Sequence, residues 1–161
     1  MKSKPLCVVC VAALCLAWTD RAVGERGDFN DSADPFVAAV GLAAGYSSGT
    51  GLALRWPALP QTMAMATGGL WGRNQDLAWN VGLELHYVLR QSGSTRVHIG
   101  PGAAIYSDNT DDEPDYNLAF GIGTEILFWR RTALKLDFGF TYLGDEGDIL
   151  PMPQAGILFY F

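Results

Sequence analysis

Two histidines stand beside acids in a chain with few charges. His86 follows Glu84 by two residues, and His98 lies in "TRVHIGPG", while Lys135 and Asp137 are again two apart and Glu125 and Arg55 complete the set. An imidazole next to a carboxylate is the pair that general acid–base catalysis uses. A nucleophile or a metal set must accompany it before an active site exists. His86 is followed by Tyr87 and Val88, and His98 by Ile99 and Gly100, so neither has a serine behind it. The three cysteines, Cys7, Cys10 and Cys15, all sit near the start, which leaves the remainder without thiolate ligands or a disulfide framework. The expectation is a buried ionic network of Arg55, Glu84, His86, Glu125, Lys135 and Asp137, with no catalytic residues, no cofactor and no metal. A second group, Asp108, Asp111, Asp112, Glu113 and Asp115 with Asp145, Glu146 and Asp148, offers oxygen ligands of the kind Ca²⁺ and Mg²⁺ accept. It lacks the alternate spacing and closing glutamate of a dedicated calcium loop, and reads as two solvated acidic loops.

The elements that would hold these residues are strands. From Pro35 onward, apolar and small or polar residues alternate with period two, cut by turn residues, and no amphipathic helix competes. Val40 and Leu42 oppose Gly41 and Ala43; Leu52, Leu54 and Trp56 oppose Arg55. The run from Leu77 to Leu89 places Trp79, Val81, Leu83, Leu85 and Tyr87 against Asn80, Gly82, Glu84, His86, Val88 and Arg90. Val97, Ile99 and Ile105 oppose His98, Gly100 and Ala104, with Pro101 costing a ladder hydrogen bond or marking a bulge. Phe120 and Ile122 oppose Gly121, Gly123 and Glu125, and Phe138 and Phe140 oppose Lys135, Asp137 and Gly139. Ala155, Ile157, Phe159 and Phe161 share the last face. The third segment, 61–71, mixes Met63, Ala64, Met65 and Ala66, and its phase stays open.

Eight such segments make an all-β chain, and the decisive question is which face meets solvent. The small-residue face is mostly glycine and alanine with a few charges, a poor aqueous surface but a good lining for a narrow lumen. The bulky face must then point outward into lipid. Closure follows, because an open sheet edge in hydrocarbon leaves each backbone group unpaired at several kcal/mol. The expectation is an eight-stranded antiparallel transmembrane β-barrel of up-and-down meander order over 35–161. Trp79 and Tyr87 would stand about 19 Å apart along the membrane normal, one at each edge of the apolar band. "PALP", "QSGS" and "WRRTA" read as short turns, "GRNQD" and the two acidic stretches as long loops, and "SSGTG" as a short exception; short turns face the periplasm in such barrels.

The start, "MKSKPLCVVCVAALCLAWTDRAVG", has Lys2 and Lys4 before an apolar run too short to span a bilayer, and reads as a signal peptide over 1–24, with lipidation at Cys15 the alternative. A periplasmic segment, 25–34, would follow; its Arg-Gly-Asp triplet carries no adhesion role there. Of 11 basic and 17 acidic residues, removing 1–24 takes Lys2, Lys4 and Arg21 with Asp20, leaving 8 against 16. That balance argues against a nucleic-acid partner.

On these residues the chain resembles the small eight-stranded outer-membrane barrels, the group that includes OmpX, OmpW and the membrane half of OmpA. In that group the last strand ends in phenylalanine with apolar residues at alternate positions, a pattern read by the barrel-insertion machinery; Ala155, Ile157, Phe159 and Phe161 match it. The lipid A deacylases of this architecture carry a His-x-Ser arrangement that this chain lacks. The resemblance implies a bacterial outer-membrane location, with outer-membrane lipid and the insertion machinery as partners. The functional expectation is a non-enzymatic barrel with a structural or surface-interaction role, acidic outer loops and a charge-plugged lumen below a small-walled vestibule. The alternative is an OmpW-like conduit for a small apolar or amphipathic ligand.

Overall fold

The computed structural model describes residues 38–45, 48–73, 76–92, 94–107, 114–129 and 131–161. The expected signal-peptide and periplasmic segments, 1–24 and 25–34, fall outside them, as do Asp108, Asp111, Asp112 and Glu113. Eight strands run in order: β1 (Ala39–Ala44), β2 (Gly51–Leu59), β3 (Thr62–Arg73), β4 (Asp76–Gln91), β5 (Thr95–Ser107), β6 (Asp115–Trp129), β7 (Thr132–Leu143) and β8 (Ile149–Tyr160). Each pairs antiparallel with the next and β8 pairs with β1, closing a meander barrel.

Closure sorts the two periodic faces as the alternation requires. Leu42, Leu52, Leu54, Val81, Phe120, Ile122, Phe138 and Phe140 point out, and among the described residues 26 large apolar side chains are exposed. The largest fully buried side chains are instead Arg55, Arg96 and Lys135. Soluble monomers rarely show contiguous apolar patches beyond a few hundred Å². This barrel wears such a surface all round and keeps its ions inside.

The third strand resolves against the usual size rule. Met63, Met65 and Thr67 are buried inward, and Ala64, on the outward face between its opposite partners Trp56 and Leu85, is only 2% exposed. Flexible thioethers fill the interior here, and two large neighbours cover the alanine.

Three other expectations change. Arg90 was expected on the inner face, but a register shift between Val88 and Arg90 sets it opposite Val97, and it is exposed. One extra residue in a strand reverses the facing of those beyond it. "GRNQD" is not a long loop, since only two residues separate β3 from β4 and Arg73 pairs with Asp76. "SSGTG" is not short, because β1 stops at Ala44 and β2 begins at Gly51, with Gly49 and Gly51 at φ of 84° and 139°. The other connections follow the expected alternation: β2–β3, β4–β5 and β6–β7 are short and share one end with Tyr160, while β5–β6 and β7–β8 are longer at the other. Pro101 interrupts its ladder without a bulge, the β4–β5 pairing passing from Glu84↔Gly102 to Tyr87↔Ile99 in one register.

Among the described residues, the closing seam pairs along half of β8. β8 pairs with β7 from Ile149 to Phe159, yet with β1 only from Ala155 to Tyr160. Tyr160 N–H donates to Arg131 on the β7 side, and Phe161 N–H to Ala38 on the β1 side. Backbone groups alternate sides along a strand, so Pro151 and Pro153, which share the parity of Phe161, present no N–H toward β1. The upper edge of β8 is therefore poor in donors where β1 has ended.

Candidate functional site in the barrel interior

The strands bring all six expected residues into one buried assembly toward the short-turn end. Glu125 on β6 is its first centre. Arg55 Nη1 on β2 donates to Glu125 Oε2, Tyr160 O–H on β8 donates to Oε1, and Arg96 Nη1 on β5 stands 3.8 Å from Oε2. Lys135 on β7 is the second, reaching Glu84 Oε2 at 2.8 Å and also Asp137 Oδ2. His86 Nε2 meets Glu84 Oε2 at 2.7 Å, and His98 Nε2 meets Asp137 Oδ1 at 2.8 Å. The two imidazole rings lie 4.3 Å apart at 48°.

The expected network lacks Arg96 and Tyr160, and sets His98 on the inner face but outside it. Arg96 carried a readable signal, standing two residues before His98 on the same period-two face. With it, Arg55, Arg96 and Lys135 balance Glu84, Glu125 and Asp137. A buried charge is tolerable only when paired, and this interior pairs three with three.

Toward the other end, the expected vestibule receives the β1–β2 connection. Asn80 Oδ1 accepts from Thr50 N–H at 2.8 Å, and Asn80 Nδ2 donates to Thr50 C=O at 2.9 Å. Ser48 Oγ bonds Gln154, and Tyr106 O–H donates to Gly45 C=O at 2.9 Å. Ser48 is 1% exposed. Gly82 makes the room, since a Cβ there would collide with the Ser48 carbonyl. A cavity of about 20 Å³ remains between the layers, bordered by Glu84, His86, His98, Gly100 and Asp137. That is space for one water-sized occupant.

The other sequence-predicted residues lie apart from this interior. Ala155, Ile157, Phe159 and Phe161 share the outer face of β8, each exposed. Asp115 opens β6 opposite Tyr106, while Asp145, Glu146 and Asp148 are exposed on the β7–β8 connection, where Glu146 N–H donates to Asp145 Oδ1.

Comparison with protein-family models, with curated proteins and with solved structures finds no match to this chain.

Proposed function

We propose that this chain is an integral outer-membrane β-barrel of the small eight-stranded kind, non-enzymatic, serving envelope structure or surface interaction. The observation that carries this reading is the inverted distribution of side chains: an apolar exterior around an interior of paired ions. A 12-residue strand such as β7 rises about 26 Å along the normal at ~3.4 Å per residue and ~45° tilt, which suits an apolar band ~25 Å tall. Residues 1–24 then act as the export signal, and the end of β8 is presented to the insertion machinery. The short connections face the periplasm and the acidic loops face outside. The ion network and the inward β1–β2 connection make the barrel a filled wall rather than a pore, in keeping with the narrow bore of eight strands.

Surface proteolysis of intact cells with heat-modifiable gel mobility tests this reading. Cleavage confined to the 108–114 and 144–148 connections, with a compact unheated band, is the expected outcome; a soluble, freely digested chain would end it.

One observation favours a second reading, as a conduit for a small amphipathic molecule. Pro151 and Pro153 offer no N–H on the β1-facing edge of β8 beyond its described pairing with β1, and an opening along that edge would give the upper lumen a lateral path to lipid. Pro151→Val with Pro153→Val restores two donors there, and loss of uptake on that change, with the barrel intact, would favour transport.

A further inference from the structure

The two histidines are not explained by the charge balance, which closes without them. Each has one ring nitrogen held by a carboxylate, His86 Nε2 by Glu84 and His98 Nε2 by Asp137. The other nitrogen, Nδ1, is buried in both residues and has no partner among the described residues. Buried polar atoms without a partner are rare enough that each calls for a cause, and a bound ion or water is the usual one. A neutral imidazole carries one N–H and one lone pair, so each ring can offer an ion one nitrogen while its proton sits on the other.

The geometry converges. His86, His98 and Asp137 each bring one ligand atom within 4.8 Å of the other two. They border the about 20 Å³ cavity, with Glu84 behind His86. His86 is 4% exposed and His98 2%, so water does not compete freely for these nitrogens.

We infer that His86, His98 and Asp137 form a binding site for a zinc-class divalent ion inside the barrel. Two imidazole nitrogens and one carboxylate oxygen are a donor set that zinc accepts and that calcium and magnesium, which take oxygen, do not favour. Bonds of about 2.1 Å require ligand atoms closer than 4.8 Å, so the side chains draw inward around the ion and Asp137 exchanges its hydrogen bond with His98 for a bond to the metal. Three cations already offset three carboxylates in this interior, so a doubly charged ion gains no net attraction from them. The nitrogen donors carry the affinity, and Lys135, bonded to both Glu84 and Asp137, opposes it. The site is exchangeable rather than structural.

The chain's two histidines are both in the cluster, so labelling its histidines with ¹⁵N makes every histidine signal a report from this site. The folded chain, prepared without a polyhistidine tag, is titrated with zinc chloride and separately with calcium chloride. Both imidazoles are expected to shift together and saturate at one zinc per chain, calcium leaving them unmoved. Lys135→Met is expected to tighten zinc binding, and His98→Gln to weaken it at least tenfold while keeping the compact gel band. Imidazole signals unmoved at saturating zinc overturn the site, as does binding that survives His98→Gln unchanged. Should His98→Gln fail to fold, the wild-type titration decides by itself.

Discussion

Glu125 is the group whose loss should be felt most. It is 0% exposed, accepts from Arg55 and Tyr160, and stands 3.8 Å from Arg96. Glu125→Leu keeps the volume but leaves two guanidinium groups in the interior with no carboxylate between them. Removing one partner of a buried pair costs about 3–5 kcal/mol, against about 0–1 kcal/mol for an exposed pair. With a urea slope near ~2 kcal/mol per M, the unfolding midpoint should fall by about 1.5–2.5 M. Reversible urea unfolding in lipid vesicles, followed by tryptophan fluorescence, reads that shift. The double variant Arg55→Met with Glu125→Leu should recover much of the loss, since replacing both members of a buried pair by apolar groups is often neutral. A Glu125→Leu midpoint within about 0.3 M of the parent would mean that these ions are hydrated, and the plugged interior would be refuted.

Gly82→Val places side-chain atoms where the Ser48 carbonyl lies and should expel the β1–β2 connection from the interior. A cysteine at Ser48 would then react with a water-soluble maleimide that leaves it untouched in the parent background. Phe138→Arg, near the middle of β7 on the outer face, should destabilise the lipid-embedded barrel by about 2–4 kcal/mol, read by urea midpoint; a change near zero would place that face in water. Phe161→Ser should lower the yield of assembled, heat-modifiable protein in cells while sparing refolding in detergent, because it alters the end of β8 without touching the ion network.

The period-two pattern carried most of the fold. Large and small residues alternate so regularly around Leu83, Phe120 and Phe138 that strand number, meander order and facing followed from it, as did the shared inner face of Arg55, Glu84, Glu125, Lys135 and Asp137, though not the places of Arg96 and Tyr160 beside Glu125. It failed where local chemistry outweighs periodicity. The shift between Val88 and Arg90 turns Arg90 outward through one extra residue that leaves no compositional trace. In β3, methionines fill the interior and alanines lie outside, so size no longer reports facing. Turn-forming composition misjudged "GRNQD" and "SSGTG" because strand ends are set by pairing with neighbours distant in sequence. The convergence of His86, His98 and Asp137 comes from three different strands, and only closure of the sheet brings it about.

The claim on which the account depends is that the bulky face dissolves in bilayer while the glycine-lined face encloses ions. From residue 25 onward the chain has no cysteine, so single cysteines at successive positions from 134 to 141 can carry a spin label in the vesicle-embedded protein. Collision with oxygen should rise at 134, 136, 138 and 140 and fall at 135, 137, 139 and 141, with a water-soluble nickel relaxant failing to reach the first set. Relaxant access at 136, 138 and 140 equal to that of an exposed site such as Glu146 would contradict it.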